Sequence, residues 1–243
     1  MIRHAAAACE NACQALIDEA GVGVRESDLY AAVVGALTRA GASLEDPHLL
    51  MTVEPEAMDF LGGHHWLFPR RPPRELVEGD VIEAEIFGWY GGLDSQAQIS
   101  ITIGEPSPEH RKLGDVAQRA YEAGVEAIRP GVTFDSVWTA MRQVILDDGC
   151  WVASPLLHTL APVLHVGEMH AGMLEADIDP AIKTPPFIPG YHDEEFRLAE
   201  GMTLAVEPCP ALGYKKGLVG GAVLVTGDGA EELNTLSTRM QSV

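Results

Sequence analysis

Positive charge is scarce in this chain. Sixteen lysines and arginines stand against 36 aspartates and glutamates, a formal charge of −20. A nucleic-acid backbone or an anionic membrane calls for a basic footprint, so neither is expected as a partner. The acidity itself reads as solubility. Long apolar runs are missing as well: no stretch approaches the roughly 20 apolar residues of a membrane span. The opening residues, MIRHAAAACENACQ, are interrupted by Glu10 and Asn11 and lack the layout of a signal peptide. Cysteine is sparse, four in 243 residues. That is no disulfide framework, and a reducing, cytoplasmic compartment is the expectation. Cys9 and Cys13 share a helical face, but with no Cys or His partner nearby they are not expected to hold a metal.

What is present is apolar material, 47% of the chain, enough for a full core in one large domain or two fused halves. The chain also writes one phrase twice. LVEGDVIEAE at 76–85 and LAEGMTLAVEP at 198–208 match at Leu76 and Leu198, Glu78 and Glu200, Gly79 and Gly201, Glu85 and Glu207. Each copy is a Glu-Gly turn feeding a short strand that ends on a glutamate. Side chains alternate along a strand, so Ile82, Ala84 and Ile86 lie opposite Glu83 and Glu85. Leu204 and Val206 likewise lie opposite Ala205 and Glu207. Two strands thereby deliver one carboxylate each from matching positions.

The rest of the chain follows the same duplication. Residues 3–20 read as a helix with Ala7, Cys13, Ala15, Leu16 and Ile17 available for burial. A second helix is capped by Ser27 or Asp28 and runs to about Arg39. Strands are expected at 49–53, through the first Glu-bearing segment, and at 95–103. In the last, Gln96, Gln98, Ser100 and Thr102 alternate with Ala97, Ile99, Ile101 and Ile103. The pattern restarts at Ser107-Pro108-Glu109, with proline well placed for a first turn. Gly131, Val132, Val137, Trp138 and Ala140 fall 108 positions after Gly23, Val24, Leu29, Tyr30 and Ala32. A strand at 156–161 echoes 49–53, and one at 219–226 closes the second half. Helix, helix, strand, loop, strand, strand occurs twice. This predicts an α+β fold of pseudo-twofold duplicated units, halves about 1–104 and 105–243, helices on the apolar sheet face and a cleft on the polar one. Between His165 and Thr203 lies a proline-bearing loop, a candidate lid or dimer arm; a homodimer is expected.

Carboxylates and imidazoles clustered on one polar face support either metal binding or acid–base chemistry. The candidates are Glu85, Glu207, His158 and His165, with His64 and His65 before the first Glu-bearing strand. Singly, each histidine is as readily a structural or surface residue. Trp89, with Trp66 and Phe68, is a candidate for the cleft wall or for the core. Gly91-Gly92 and Gly220-Gly221 read as turn or bulge glycines, since neither precedes a helix carrying a lysine.

Gly-Asp followed by an acid, His-x6-His at 158–165, GMTLAVEP at 201–208, VLVTGDG at 223–229 and PGV at 130–132 resemble the pita-bread aminopeptidase family. That family includes methionine aminopeptidase, Xaa-Pro aminopeptidase and creatinase, and the resemblance runs from about residue 5 to 235. It implies a curved antiparallel sheet in a single catalytic-type domain, 1–243, without the N-terminal accessory domain of many relatives. The family's metallopeptidases hold two divalent ions with two aspartates, a histidine and two glutamates. Those positions fall here on Glu85, Gln96, His158, Glu207 and Gly220, and the substrate-side histidine falls on His165. Where the Xaa-Pro branch carries an arginine two residues before the last glutamate, this chain has Leu218. Two anionic ligands are thus replaced by an amide and by nothing.

Three readings follow from the resemblance. The first is an enzyme without the dinuclear centre and without cofactor. Like creatinase, it would act on a small nitrogen-containing molecule by acid–base hydrolysis or elimination, with Glu85, His158, His165 and Glu207 catalytic. His64, His65, Gln96 and Trp89 would contact the substrate. The second is a hydrolase retaining one divalent transition metal on Glu85, His158 and Glu207. The third is a non-catalytic protein that binds peptides or ligands in the cleft.

Overall fold

The structure is a computed structural model that describes residues 1–45, 48–55, 72–153, 155–160, 166–167 and 195–243. Helix α1 spans Ile2–Glu19 and α2 spans Glu26–Arg39. Strands β1 (Leu49–Thr52), β2 (Val81–Tyr90) and β3 (Leu93–Thr102) complete the first half. The second opens with α3 (Pro108–Ala127) and α4 (Phe134–Asp147), then β4 (Trp151–Val152), β5 (Leu156–Thr159) and β6 (Thr203–Glu207). Strands β7 (Pro210–Leu212), β8 (Lys215–Lys216), β9 (Gly220–Val225), β10 (Ala230–Glu232) and β11 (Gln241–Ser242) follow. The expected α+β architecture is therefore observed.

Each helix has a local cause. Alanine-rich α1 has high helical propensity and buries Ala5, Ala8, Cys9, Ala12, Cys13 and Leu16 at helical spacing. Ala7 sits on the opposite face and is exposed, and Ala15 and Ile17 are only partly buried. The apolar stripe is therefore rotated from the one expected. Helix α2 is not capped by Ser27 or Asp28; Arg25 is its N-cap residue and gives no side-chain bond. The buried Glu26 carboxylate instead accepts from the Arg74 backbone N–H at 3.1 Å, so a tertiary contact fixes that end. Helix α3 starts as read: Ser107 accepts from the His110 N–H, with Pro108 in the first turn.

The main sheet runs β1-β2-β3-β9-β6-β5, each neighbouring pair antiparallel, with β10 on β9 and β11 parallel to β3. A small second sheet has the order β4-β7-β8. Alternation sends Ile82, Ala84, Ile86, Ala97, Ile99 and Ile101 against α1 and α2 in one core. Leu204, Val206, Val223 and Val225 pack with α3 and α4 in another. Burial of such a side chain stabilises by about 1.5–3 kcal/mol, and these two cores hold the strands that carry the site.

The duplication repeats bond for bond. Gly23 N donates to Leu76 O at 2.9 Å and Leu76 N to Val24 O at 2.8 Å; Gly131 and Leu198 repeat this with Val132 at 2.8 and 2.9 Å. Gly79 N donates to Ile103 O and Ile103 N to Asp80 O, as Gly201, Val225 and Met202 do in the other half. Gly79 and Gly201 both have φ of +89° with no atom within 4 Å of an added Cβ. Glycine is required there by backbone conformation and not by space.

The other sheet face is polar yet sheltered. Glu83, Gln96, Gln98, Ser100 and Thr102 are all buried, where the sequence suggested an open cleft wall. Part of the cover comes from the second half. Lys216 Nζ reaches Glu83 Oε2 at 2.6 Å, and Ser100 Oγ donates to Leu218 O at 2.9 Å and accepts from Leu218 N at 2.8 Å. The final residues return to the first half: Gly104 N donates to Val243 O, and Asn234 Nδ2 to Ala6 O.

Candidate functional site

Four strands converge on one cluster. Glu85 comes from β2, Gln96 and Gln98 from β3, His158 from β5 and Glu207 from β6. The β2–β3 hairpin closes through Gly91 and Gly92, both with positive φ, and pairs Tyr90 with Leu93. That register places Glu85 directly across from Gln98, and Phe87 across from Gln96. Glu85 and Glu207 are brought together, and Gln98 lies between them. Its Nε2 donates to Glu207 Oε2 at 2.8 Å and to Glu85 Oε1 at 3.1 Å, with Gln96 Oε1 at 3.4 Å.

His158 closes the other side. Its Nδ1 donates to Thr159 O at 3.1 Å, since a carbonyl can only accept. Its Nε2 faces both Gln96 Oε1 at 3.1 Å and Glu207 Oε1 at 3.3 Å. An imidazole with oxygens at both nitrogens is best satisfied as imidazolium. Burial works against that charge, but Glu207, the Thr159 carbonyl and Glu85 outweigh it and raise the pKa to about 9. Glu85 is raised to about 8, first by burial and then by the Glu207 charge. Burial is a larger cause here than the repulsion between the two carboxylates. Two residues before Glu85 on the same face, Glu83 is raised to about 7 by burial, with Lys216 pulling it back.

Two backbone features frame the cluster. Leu156, paired with Glu207 across β5 and β6, has a φ of +67°, the one positive value among the described non-glycine residues. Such a conformation costs about 1–3 kcal/mol and stands two residues before His158. Gly220 pairs with Gln98 and has a φ of +152°. A Cβ there would lie 2.2 Å from Val206 O and 2.7 Å from Glu207 Cα. The position assigned to the family's last glutamate is therefore one that admits no side chain.

These residues do not fit a two-ion centre. Gly220 offers no ligand and no room for one, Gln96 adds no charge, and the carboxylate oxygens that would share an ion already accept the Gln98 amide. Among the described residues, no group of three or more His, Cys, Asp and Glu is arranged to hold a metal. Of the remaining sequence candidates, Trp89 is partly buried on the same strand face as Glu85, and His64, His65 and His165 lie outside the described residues. Gln98 had been placed on the polar face without a role. Its central position follows from the hairpin register, which the eleven-residue spacing from Glu85 to Gln96 conceals. Asp94, which accepts from Gln96 Nε2 at 3.3 Å, was missed too; only its alternation with Gln96 could have signalled it.

A family model for metallopeptidase family M24 matches residues 1–230. The chain belongs to metallopeptidase family M24. Probable dipeptidase PepE of Mycobacterium tuberculosis is 29% identical over 214 residues, 87% of this chain and 50% of the relative. The Xaa-Pro dipeptidase of Pyrococcus furiosus is 26% identical over 240 residues, 96% of this chain and 60% of the relative. Among solved structures, dipeptidase PepE from Mycobacterium ulcerans superposes with a TM-score of 0.75 at 23% identity, over 100% of this chain and 59% of that one. This chain thus spans about half to three-fifths of the length of these M24 relatives. The likeness establishes the pita-bread fold. Among the described residues, no helix is long and apolar enough to cross a membrane.

Proposed function

We propose that this M24 chain is an enzyme that works without the two-ion centre of its family's metallopeptidases. It acts by acid–base chemistry on a small nitrogen-containing molecule, cleaving a C–N bond by hydrolysis or elimination. The observation that carries this reading is the Gln98 amide bonded to both Glu85 and Glu207 at 3.1 and 2.8 Å. The two carboxylates are held in working proximity by a neutral donor, so the pair needs no ion to bring it together.

The roles follow from position. Glu85, the more exposed of the two glutamates, meets an incoming substrate and gives its proton to the departing nitrogen. Glu207 takes a proton from the attacking water, or from substrate carbon in an elimination. His158, hydrogen-bonded to Glu207, supplies the matching positive charge. Gln96 holds His158 Nε2 from the other side. One of His64, His65 and His165, which lie outside the described residues, is the proposed proton shuttle, and Trp89 is the proposed substrate contact beside Glu85. The names of the M24 relatives make dipeptides the first substrates to try, with amino-acid amides and amidino compounds beside them.

The test is a panel of those three classes assayed in excess chelator and again with Mn2+ or Co2+. Turnover is expected in chelator, unchanged by added ion, and Glu207→Gln should lower kcat by about 100-fold or more. Activity that appears only when ion is restored would sink the reading. Saturable ligand binding with no turnover in either condition would establish the binding-only alternative instead.

A further inference from the structure

We propose that Gln98 stands in for a cation, bridging Glu85 and Glu207 and keeping divalent ions out of the site. The inference rests on the metal-free reading above and deepens it by naming the residue that enforces it.

Two carboxylates facing each other, Glu207 buried and Glu85 partly buried, require something positive or hydrogen-donating between them. In a carboxylate-bridged centre an ion meets that need, with oxygens at about 2.0–2.2 Å. In this chain a primary amide does so, and its two N–H groups match two carboxylates in number. An arriving ion must compete for the same oxygen lone pairs while meeting the positive end of the amide. The amide's orientation is dictated by these partners. Reversed, it would aim carbonyl lone pairs at both glutamates. As it stands, Oε1 of the fully buried Gln98 has no hydrogen-bond partner among the described residues, so the carboxylates are satisfied at the expense of the carbonyl.

The alternative route back to an ion is shut at Gly220, where an added Cβ meets Val206 O and Glu207 Cα. The two positions therefore predict opposite outcomes. Gln98→Glu changes an amide to a carboxylate with little change in shape, and sets three carboxylates and His158 around one point. Gly220→Glu restores the family residue type at a position the backbone has closed.

Metal content after equilibrium dialysis against Mn2+, Co2+ or Zn2+, paired with thermal melts in chelator and in metal, tests this. The wild-type chain is expected to hold no stoichiometric ion that depends on Glu207. Gln98→Glu should take up one ion per chain and gain about 5–10 °C at ~100-fold excess over its Kd. Glu207→Gln in that background should abolish the gain, and Gly220→Glu should show none. Should Gln98→Glu fold only when metal is present, that also supports the proposal. Gln98→Ala, which simply vacates the bridge, should gain a weaker metal-dependent shift. A wild-type ion lost in Glu207→Gln overturns the proposal, and so does failure of both Gln98 variants to acquire one. Turnover in chelator is read separately. Metal-free activity with no gain at Gln98 removes only this inference, whereas a gain at Gln98 without any turnover removes only the proposed function.

Discussion

The two halves of the molecule share a frame and differ at its ends. The Gly23–Leu76 and Gly131–Leu198 clasps, and the Gly79 and Gly201 turns, superimpose in bonding and in φ. Each turn launches a strand that finishes on a glutamate, Glu85 or Glu207. Past that point the halves diverge. In the first, the residue opposite the glutamate is Gln98, whose side chain reaches across the sheet. In the second, the strand beside Glu207 carries Gly220, where the approach of β9 to β6 leaves no room for a side chain. Duplication set the geometry that brings two carboxylates together, while the neighbouring strands set what lies between them. Chemistry here is decided by the partner strand and not by the strand that bears the acid.

The strongest way to break the comparison is at Gly220. Gly220→Ala forces a Cβ against Val206 O in a backbone region closed to L residues, and should cost about 4–5 kcal/mol in urea unfolding. Alanine at Gln98 should cost only about 2 kcal/mol; equal losses would show that the two partner strands are equivalent after all. Next in size is Lys216→Met, which leaves Glu83 buried without its ammonium. A loss of about 3–5 kcal/mol is expected, with much of it recovered when Glu83→Gln is added.

The first half's carboxylate should also impose a pH dependence. Glu85 binds its proton more tightly folded than unfolded, with a pKa of about 8 against 4.5. Its contribution is complete below pH 4.5 and is lost as pH rises through 8. The melting temperature of the wild type relative to Glu85→Gln should therefore fall steadily across that window; a flat difference would refute it. The smallest effect sharpens the symmetry. Gly79→Ala and Gly201→Ala should each cost about 1–2 kcal/mol and match one another within about 0.5 kcal/mol. Unequal costs would show that one half bears more strain than the other.

Much of this was legible in the sequence because it is periodic or repeated. The 108-residue offset from Gly23 to Gly131, the Glu-Gly strand starts and the alternation through β3 predicted the elements and the pairing of Glu85 with Glu207. His158 and Gln96 were placed by family spacing and do meet. Gln98 was not assigned because its role depends on register, which a two-residue turn sets and a one-residue change would invert. Lys216 left no local signal, since its partner Glu83 lies 133 residues earlier on another sheet. The start of α2 was misread for the same kind of reason: a contact from Arg74 does there what a local cap would have done.

The closing strand β11 has a consequence for how the molecule comes into being. Its parallel pairing with β3 joins Gln241 to Ile101 and Ser242 to Thr102, and Val243 O accepts from Gly104 N. An edge of the first half is therefore completed by residues that lie 140 positions further along the chain. That edge stays open in any state in which residues 241–243 are not docked. Contacts so distant in sequence form slowly and leave a strand edge open to misassembly while it waits. Commitment to the final fold thus waits on one of the longest-range pairings in the molecule.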